Sequence, residues 1–391
     1  MAVLVQKYGG SSVADVEKIG VVADKVVAAK RAGDDVVVVV SAMGKTTDEL
    51  LALAKRVASD PPRRELDMLV STGERVSMAL LSIAIHARGA DAISFTGSQS
   101  GIITSDRHFD ARIIEVRPHR IEDELARGRI VIVAGYQGMS YRREITTLGR
   151  GGSDTTAVAL AAALGAHRCE IYSDVDGVYS ADPRVVPDAQ HLPELDLASL
   201  QEMAEAGAKV LNAQAVEWAR RAKIAIHARK TSDAPGAGKQ TVCDEGAAVK
   251  HVRAVVGLDK VVHVRIGLAQ LRAFAQLAAD LDVPLLDVAG WGDAASCAIP
   301  LANVPDWGHC TARLERDVRG VTLEAGCGVV SVVGSELTTS ARALPRFLGT
   351  LAEVGATTRA VHAGPLRLAA TIESGKLGDA QRALHAAFVG G

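Results

Sequence analysis

Short β-branched runs alternate with longer amphipathic stretches through residues 1–248. The β-branched runs predict strands at Val3–Val5, Asp35–Val40, Ile130–Ala134 and Glu170–Ser173. Helical patterns of apolar positions cover residues 14–32, 46–58, 72–88, 119–127, 155–165 and 197–222. This alternation predicts the α/β class, with a mainly parallel sheet covered by helices on both faces.

A different pattern follows the loop at residues 233–238. The first of two weakly similar units has strand, helix and strand patterns at residues 252–264, 268–281 and 285–288. The second has patterns at residues 328–333, 341–354, 357–360, 366–372 and 377–388. This βαββαβ rhythm predicts two small modules for ligand sensing or dimerisation, with a plain structural tail as the alternative. We therefore expect one domain at residues 1–248 and another at 249–391.

Composition narrows the possible partners of the chain. Aromatic residues make up 3% and the formal net charge is -2, so no basic surface for nucleic acid is indicated. Five scattered cysteines without a CxxC pair predict neither disulfides nor a zinc site, and no metal-ligating cluster stands out. No apolar stretch of membrane length is evident, and a strand pattern begins directly after Met1. We expect a cytoplasmic protein whose partners are small molecules and copies of itself.

The run Gly149-Arg150-Gly151-Gly152-Ser153-Asp154 precedes an apolar helical stretch. Glycines let backbone amides approach a ligand, and the helix N-terminus adds a partial positive charge. Arg150 matches a carboxylate or phosphate, whereas Asp154 needs a cation between itself and any phosphate. The run predicts a site for an anionic substrate and a metal-bound phosphate. A tight loop with Ser153 or Asp154 capping the helix is the alternative.

Four further segments carry candidate chemistry. Lys7-Tyr8-Gly9-Gly10 follows the first strand as a possible phosphate cradle, with a structural turn as its alternative. Lys209 stands on an apolar face and needs an anion unless it reaches solvent. Glu74 begins a helix, where a capping function is the simpler interpretation. The polar segment 173–184 resembles either a binding loop or a surface turn.

Six motifs in order resemble those of the aspartate kinases, a group within the amino acid kinases. They are KYGGSSV at 7–13, VSAMGKTTDEL at 40–50, STGERVSMALL at 71–81, TTLGRGGSDTTAVALAAAL at 146–164, SDVDGVYSADPRVVPDA at 173–189 and EMAEAGAKVL at 202–211. The resemblance covers nearly all of residues 1–230. It implies a three-layer αβα sandwich around a mainly parallel sheet, followed by two ACT modules, which are small βαββαβ units.

The resemblance also implies a function for each matching position. ATP would be bound by Lys7, Tyr8, Gly9, Gly10, Ser173, Asp174, Tyr179, Asp182, Arg184, Lys209 and Val210. The catalytic groups would be Lys7, Asp154 and Lys209, with Asp154 organising the lysines and Mg²⁺. L-Aspartate would be bound by Ser41, Thr47, Glu74, Arg150, Gly151, Gly152 and Ser153. The family further implies a homo-oligomer, here a dimer formed through the ACT-like modules.

Two groups of departures from the family pattern affect these expectations. After Leu211 the family tends to continue His-Pro-Arg, whereas this chain has Asn212-Ala213-Gln214. The C-terminal modules lack the usual Pro-Gly loops at Gly267-Leu268 and at residues 338–341. We therefore expect an aspartate kinase with weakened or altered feedback by lysine or threonine. The alternatives are a kinase of another acidic amino acid or aspartyl derivative, and a catalytically silent binding protein that keeps the fold.

Overall fold

The computed structural model describes residues 2–208, 211–234, 237–246 and 254–390. The chain divides into two compact units. The first contains Met1–Val178, Leu192–Gln201 and Val210–Ala248, and the second contains Tyr179–His191, Glu202–Lys209 and Val249–Gly391. Two short stretches of the N-terminal part of the sequence therefore group with the C-terminal region.

The strands and helices before residue 247 follow the predicted alternation. The strands are β1 Val3–Tyr8, β2 Asp35–Val40, β3 Ala92–Phe95, β4 Ile102–Thr104, β5 Ile113–Val116, β6 Ile130–Ala134, β7 Gln137–Ser140, β8 Ile145–Thr147, β9 Arg168–Ser173, β10 Val178–Tyr179, β11 His191–Leu192, β12 Glu194–Asp196, β13 Ile226–Lys230 and β14 Gln240–Asp244. The helices are α1 Val16–Arg31, α2 Thr46–Val57, α3 Arg63–Val70, α4 Thr72–His86, α5 His119–Ala126, α6 Gly152–Ala163, α7 Leu197–Glu205 and α8 Ala213–Ala222.

The main sheet of the first unit has the strand order β12-β14-β13-β9-β1-β2-β6-β3. Neighbouring strands pair in parallel, except β13 and β14, which pair antiparallel. Helices α1 and α4 pack on one face, and the uniformly buried helix α6 packs on the other. A smaller sheet of β5, β4, β7 and β8 completes the unit. The predicted α/β class with a mainly parallel, two-sided sheet is confirmed.

The second unit contains one six-stranded sheet. Its elements are β15 Ala254–Gly267, α9 Leu271–Asp280, β16 Leu286–Trp291, β17 Ala294–Pro300, α10 Trp307–Asp317, β18 Thr322–Val333, α11 Ala343–Glu353, β19 Ala360–Gly364, β20 Arg367–Glu373 and α12 Leu377–Phe388. The strand order is β16-β17-β15-β18-β20-β19. Separate apolar clusters surround Phe274 and Phe347, so each half of the sheet has its own helix-packed core.

Several elements differ from the predicted ones. The helical pattern at residues 197–222 forms two helices, α7 and α8, because Gly207 takes a left-handed conformation (φ 103°) after α7. The elements that were not predicted are strands β3, β4, β5, β7, β8, β10–β14 and β17 and helices α3 and α10. In the last module the strand expected at residues 357–360 begins at Ala360 instead.

The helical stretch Arg63–His86 meets the length and composition criteria for a membrane span, contrary to the sequence expectation. This stretch comprises α3 and α4, which are separated at Ser71. Leu81 and Ile85 of α4 are fully buried in the core cluster that also contains strand residues of β2 and β6. Packing against the sheet therefore accounts for the apolar residues on the inner face of α4, whereas Val76 and Ile83 of the same helix are exposed.

Asp67 on α3 joins three separate segments of the first unit. Its fully buried carboxylate accepts hydrogen bonds from His108 Nδ1 at 2.7 Å, from the Phe109 amide at 3.0 Å and from Thr147 Oγ1 at 2.5 Å. Burial raises the pKa of this carboxyl. Thr147 ends β8 just before the glycine-rich run, so Asp67 fixes the strand that delivers that run.

We expect Asp67→Ala to lower the free energy of unfolding by about 2–4 kcal/mol, because three donors lose a buried acceptor. Asp24→Ala is the matched control, since Asp24 lies at the surface in an ion pair with Arg88 (2.6 Å). Such exposed pairs contribute about 0–1 kcal/mol. Thermal and denaturant unfolding of both variants measure the difference, and equal losses would contradict the anchoring function of Asp67.

Candidate functional site

The carboxyl ends of β1, β2 and β6 lie side by side at one edge of the main sheet. The Ser41 amide donates to the Tyr8 carbonyl at 3.1 Å, and the Gly135 amide donates to the Val40 carbonyl at 3.0 Å. Ligands of open α/β sheets bind outside such carboxyl ends. The predicted residues Lys7 and Ser41 both lie at this edge.

A buried ion pair joins this edge to the glycine-rich run. Lys7 Nζ lies 2.6 Å from Asp154 Oδ1, and the residues are only 9% and 6% exposed. Asp154 stands in the first turn of α6, where the helix dipole favours a negative charge. The residue before the helix is Gly151, and no side chain caps it. Ser153 and Asp154 therefore lie inside the helix and are not its caps.

The segment Tyr8-Gly9-Gly10 is packed more tightly than the sequence suggested. The Tyr8 side chain is fully buried and stacks on Tyr172 with ring centroids 4.8 Å apart. The Gly9 amide donates to the Tyr172 carbonyl at 3.1 Å. The Tyr8 ring and the Gly9 N–H are thus engaged in the core of the fold. The contact of Tyr8 and Gly9 with ATP stays a prediction.

Gly10 begins a short 3-10 turn, Gly10–Val13, immediately after the strand. A Cβ atom at this position would lie 2.8 Å from the Ala42 carbonyl oxygen and 3.1 Å from that of Gly44. Only glycine allows the turn to approach the loop after β2 so closely. This packing gives Gly10 a structural requirement in addition to the predicted phosphate contact.

Glu74, in the first turn of α4, is 2% exposed and points toward the loop after β2. Its Oε1 accepts a hydrogen bond from the Ala42 amide at 3.1 Å, while the buried Oε2 has no hydrogen-bond partner among the described residues. Burial raises the pKa of Glu74 to about 7. Glu74 does not cap α4, because no side chain makes a capping hydrogen bond at that helix. It is instead a buried hydrogen-bond acceptor at the sheet edge. An unpaired buried carboxylate is costly and favours a cationic ligand.

Arg150 and the residues that follow it form the mouth of helix α6. The Arg150 side chain is 69% exposed and lies 3.6 Å from Asp48 on α2, the helix that also carries Thr47. Gly151 has a positive φ of 75°, and α6 begins at Gly152. Ser153 is buried, and its Oγ lies close to Gly135 at the end of β6. An exposed pair such as Arg150–Asp48 is weak, so a ligand carboxylate could compete for the guanidinium.

The predicted nucleotide segment is divided between the two units. Ser173 and Asp174 belong to the first unit. Tyr179, Asp182 and Arg184 belong to the second, where Arg184 Nη2 lies 2.8 Å from Asp182 Oδ2 and Tyr179 makes an edge contact with His191. Lys209 and Val210, also predicted to bind ATP, lie outside the described residues.

No group of three or more His, Cys, Asp or Glu side chains in the described ranges is arranged to hold a metal ion. In kinases Mg²⁺ is commonly bound through one or two carboxylates together with substrate phosphates. Asp154, a buried carboxylate at a helix N-terminus beside a lysine, is of the right type.

Sequence reasoning missed two residues that contact this site. Asp48 is the partner of Arg150, and its only signal was an acidic residue in the first turn of α2. Asn212 was noted as a departure from the family pattern, but its contact was not anticipated. Its Nδ2 donates to the Arg150 carbonyl at 2.7 Å.

Comparisons with known proteins agree with this arrangement. The sequence model of the amino acid kinase family matches residues 2–229. The chain is 45% identical to an aspartokinase of Mycolicibacterium smegmatis over 99% of this chain and 96% of that protein. It is 42% identical to an aspartokinase of Corynebacterium glutamicum over the same shares.

The fold also matches a solved structure over its whole length. The crystal structure of E. coli aspartokinase III in complex with aspartate and ADP has a TM-score of 0.87 at 24% identity, covering 99% of both chains. That identity supports the fold alone. The family match and the full-length relatives go further, and the chain belongs to the aspartokinases of the amino acid kinase family.

Proposed function

We propose that the sheet edge described above transfers the γ-phosphoryl group of ATP to the side-chain carboxylate of L-aspartate, forming 4-phospho-L-aspartate and ADP. Membership of the aspartokinases makes the chain an aspartate kinase. The observation that carries the residue assignment is the buried Lys7–Asp154 pair at the carboxyl ends of the strands. It brings a cation to the edge where a phosphate would bind, and it anchors that cation to the mouth of α6.

The two ends of the amino acid require opposite charges. Glu74 would bind the ammonium group, since its buried Oε2 lacks a hydrogen-bond partner in the described part of the chain. Arg150 would bind the α-carboxylate in exchange for Asp48, with the Gly151, Gly152 and Ser153 segment shaping the site. Ser41 and Thr47 would hold the reacting carboxylate.

The nucleotide would be bound by Lys7, Gly10 and the segment containing Ser173 and Asp174. Lys209 and Val210, together with Tyr179, Asp182 and Arg184, complete the assignment that the family motifs imply. The contact of Tyr8 and Gly9 with ATP also stays part of the proposal, although the Tyr8 ring and the Gly9 amide are engaged within the fold. Those internal contacts also position Lys7 and Gly10.

The chemistry needs no general base. The side-chain carboxylate of aspartate is ionised at neutral pH and is itself the nucleophile. Its oxygen forms a bond to the γ-phosphorus while the bond from that phosphorus to the β,γ-bridging oxygen breaks, and ADP leaves with the electron pair. The protein must align two anions and neutralise the charge on the transferred group. Lys7 supplies such a charge, and Asp154 holds it in place.

We include Mg²⁺ in the proposal, with Asp154 as its protein ligand alongside the phosphates. When bound, the ion would neutralise charge on the β- and γ-phosphates.

We also propose a cytoplasmic enzyme that forms a homo-oligomer through the second unit. Exposed apolar residues on the edge strands β16 and β19 support that interface, and they are Val288, Trp291 and Val361.

Measuring acyl phosphate as a hydroxamate, with aspartate, glutamate or no amino acid, tests the substrate assignment. We expect product with aspartate only. In Asp154→Asn, which keeps the shape of the side chain but removes its charge, we expect kcat to fall by about a hundredfold or more. Product with glutamate instead would favour the alternative substrate. Activity with no amino acid would favour neither alternative. An unreactive but folded protein would support the silent homologue.

The pKa of Glu74 predicts how aspartate binding depends on pH. Because the pKa is raised to about 7, the carboxyl is mainly protonated at pH 6 and mainly ionised at pH 8. Only the ionised form pairs with an ammonium group, so KM for aspartate should rise roughly tenfold from pH 8 to pH 6 at saturating Mg-ATP. Glu74→Gln should raise KM at pH 8 and flatten the profile. A steep profile in that variant would assign the titration to another group.

Weakened feedback is the second part of the proposal. The chain passes from Gly267 through a single 3-10 turn, Leu268–Gln270, into α9, without the Pro-Gly loop that the family uses near its effectors. Asp287 in the second unit is also engaged, because it forms an ion pair with Arg367, which in turn pairs with Glu202 at 3.1 Å. Asp287 also lines a pocket formed by residues of β16, β17, β19 and β20, so the ion pair engages one of the polar groups of that pocket.

We expect millimolar lysine, threonine or both together to change the rate by less than about twofold under conditions where KM for aspartate is measured. The segments before α9 and α11 lack the Pro-Gly sequence that the family resemblance associates with an amino-acid effector. Initial rates and the melting temperature with each amino acid provide two independent readings. Strong inhibition, or a clear thermal shift with lysine, would show that the effector site is retained.

A further inference from the structure

Asn212 lies at the point where α8 meets the glycine-rich run. It has an extended backbone conformation (φ −78°, ψ 139°) and is the residue immediately before α8. Its Oδ1 accepts the Gln214 amide at 2.8 Å, which caps the helix. Asparagine is among the preferred residues for this cap. The cap alone uses only the oxygen of the side-chain amide.

The other half of the Asn212 amide reaches the mouth of α6. Its Nδ2 donates to the Arg150 carbonyl at 2.7 Å, and its Oδ1 also accepts from Thr155 Oγ1 at 3.2 Å. A Cβ atom on Gly151 would lie 2.8 Å from the Asn212 Cβ. Asn212 therefore contacts three consecutive parts of the run, which are the Arg150 carbonyl, Gly151 and the first turn of α6.

We propose that Asn212 is a positioning residue for aspartate binding, which sets the main-chain conformation at Arg150 and so the place of its guanidinium. The inference rests on the proposed function of Arg150. Gly151 takes a left-handed conformation, so the main chain can rotate at this point unless it is held. The carbonyl that accepts this hydrogen bond belongs to Arg150, the residue immediately before Gly151. The bond therefore restrains the main chain at the flexible glycine.

The amide side chain of Asn212 serves both purposes at this position. One side-chain atom must accept from the Gln214 amide while another donates to the Arg150 carbonyl. Aspartate caps a helix as well as asparagine does but cannot donate. Asn212→Asp thus separates the two functions, since it preserves the cap and turns the contact with the Arg150 carbonyl into a repulsion. Asn212→Ala removes both.

We expect Asn212→Asp to raise KM for aspartate roughly threefold to tenfold, the change expected for one lost hydrogen bond. KM for ATP and the melting temperature should stay close to those of the unmodified enzyme. Asn212→Ala should raise KM for aspartate similarly and also lower the melting temperature, because the helix loses its cap. A merely structural residue would change the melting temperature without this selective effect on aspartate.

Arg150→Ala and the double variant Asn212→Asp/Arg150→Ala complete the test. If Asn212 acts through Arg150, the double variant should have the same KM for aspartate as Arg150→Ala alone. Independent, multiplying effects would overturn the inference, as would an unchanged KM in Asn212→Asp when Arg150→Ala raises it. An unchanged KM in Arg150→Ala would instead refute the proposed carboxylate contact of Arg150, so the two failures are distinguishable.

Discussion

The buried ion pair between Lys7 and Asp154 is the constraint on which the site depends. Removing either partner would leave the other charge unpaired at low exposure, which costs folding free energy. The pair holds the end of β1 against the first turn of α6. The glycine-rich run that precedes α6 is therefore fixed relative to the sheet edge, and the polar groups after β2 lie at that same edge.

The sequence predicted the four adjacent central strands of the main sheet, β9, β1, β2 and β6, because these strands are buried on both faces. In such a strand apolar and polar residues need not alternate, so the continuous apolar run Asp35–Val40 differs from a surface segment. The observed β2 has the same bounds as the predicted strand. The pattern at residues 197–222 failed because two helices with similarly spaced apolar positions look like one. Gly207 was the available signal, since a left-handed glycine ends helices.

The site was less predictable than the fold, for a physical reason. Residue type indicated that Lys7, Glu74, Arg150 and Asp154 carry charge at strand or helix ends, and the family motifs supplied their functions. Which atoms are already engaged depends on tertiary contacts that no local pattern records. The Gly9 amide, for example, is used by the Tyr172 carbonyl across the sheet. The amide of Asn212 reaches a carbonyl 62 residues away in sequence.

The second unit shows why its two modules must be considered together. Strand β15 pairs through Ala254–Leu258 with the end of β18 and through Val261–Arg265 with its beginning, while β17 pairs with the same second half of β15. Each helix-packed core thus shares its two central strands with the other core. Arg367 adds a buried charge contact from β20 to Asp287 on β16, at the other end of the strand order. Neither module therefore has a complete sheet alone, because β15 and β18 belong to both.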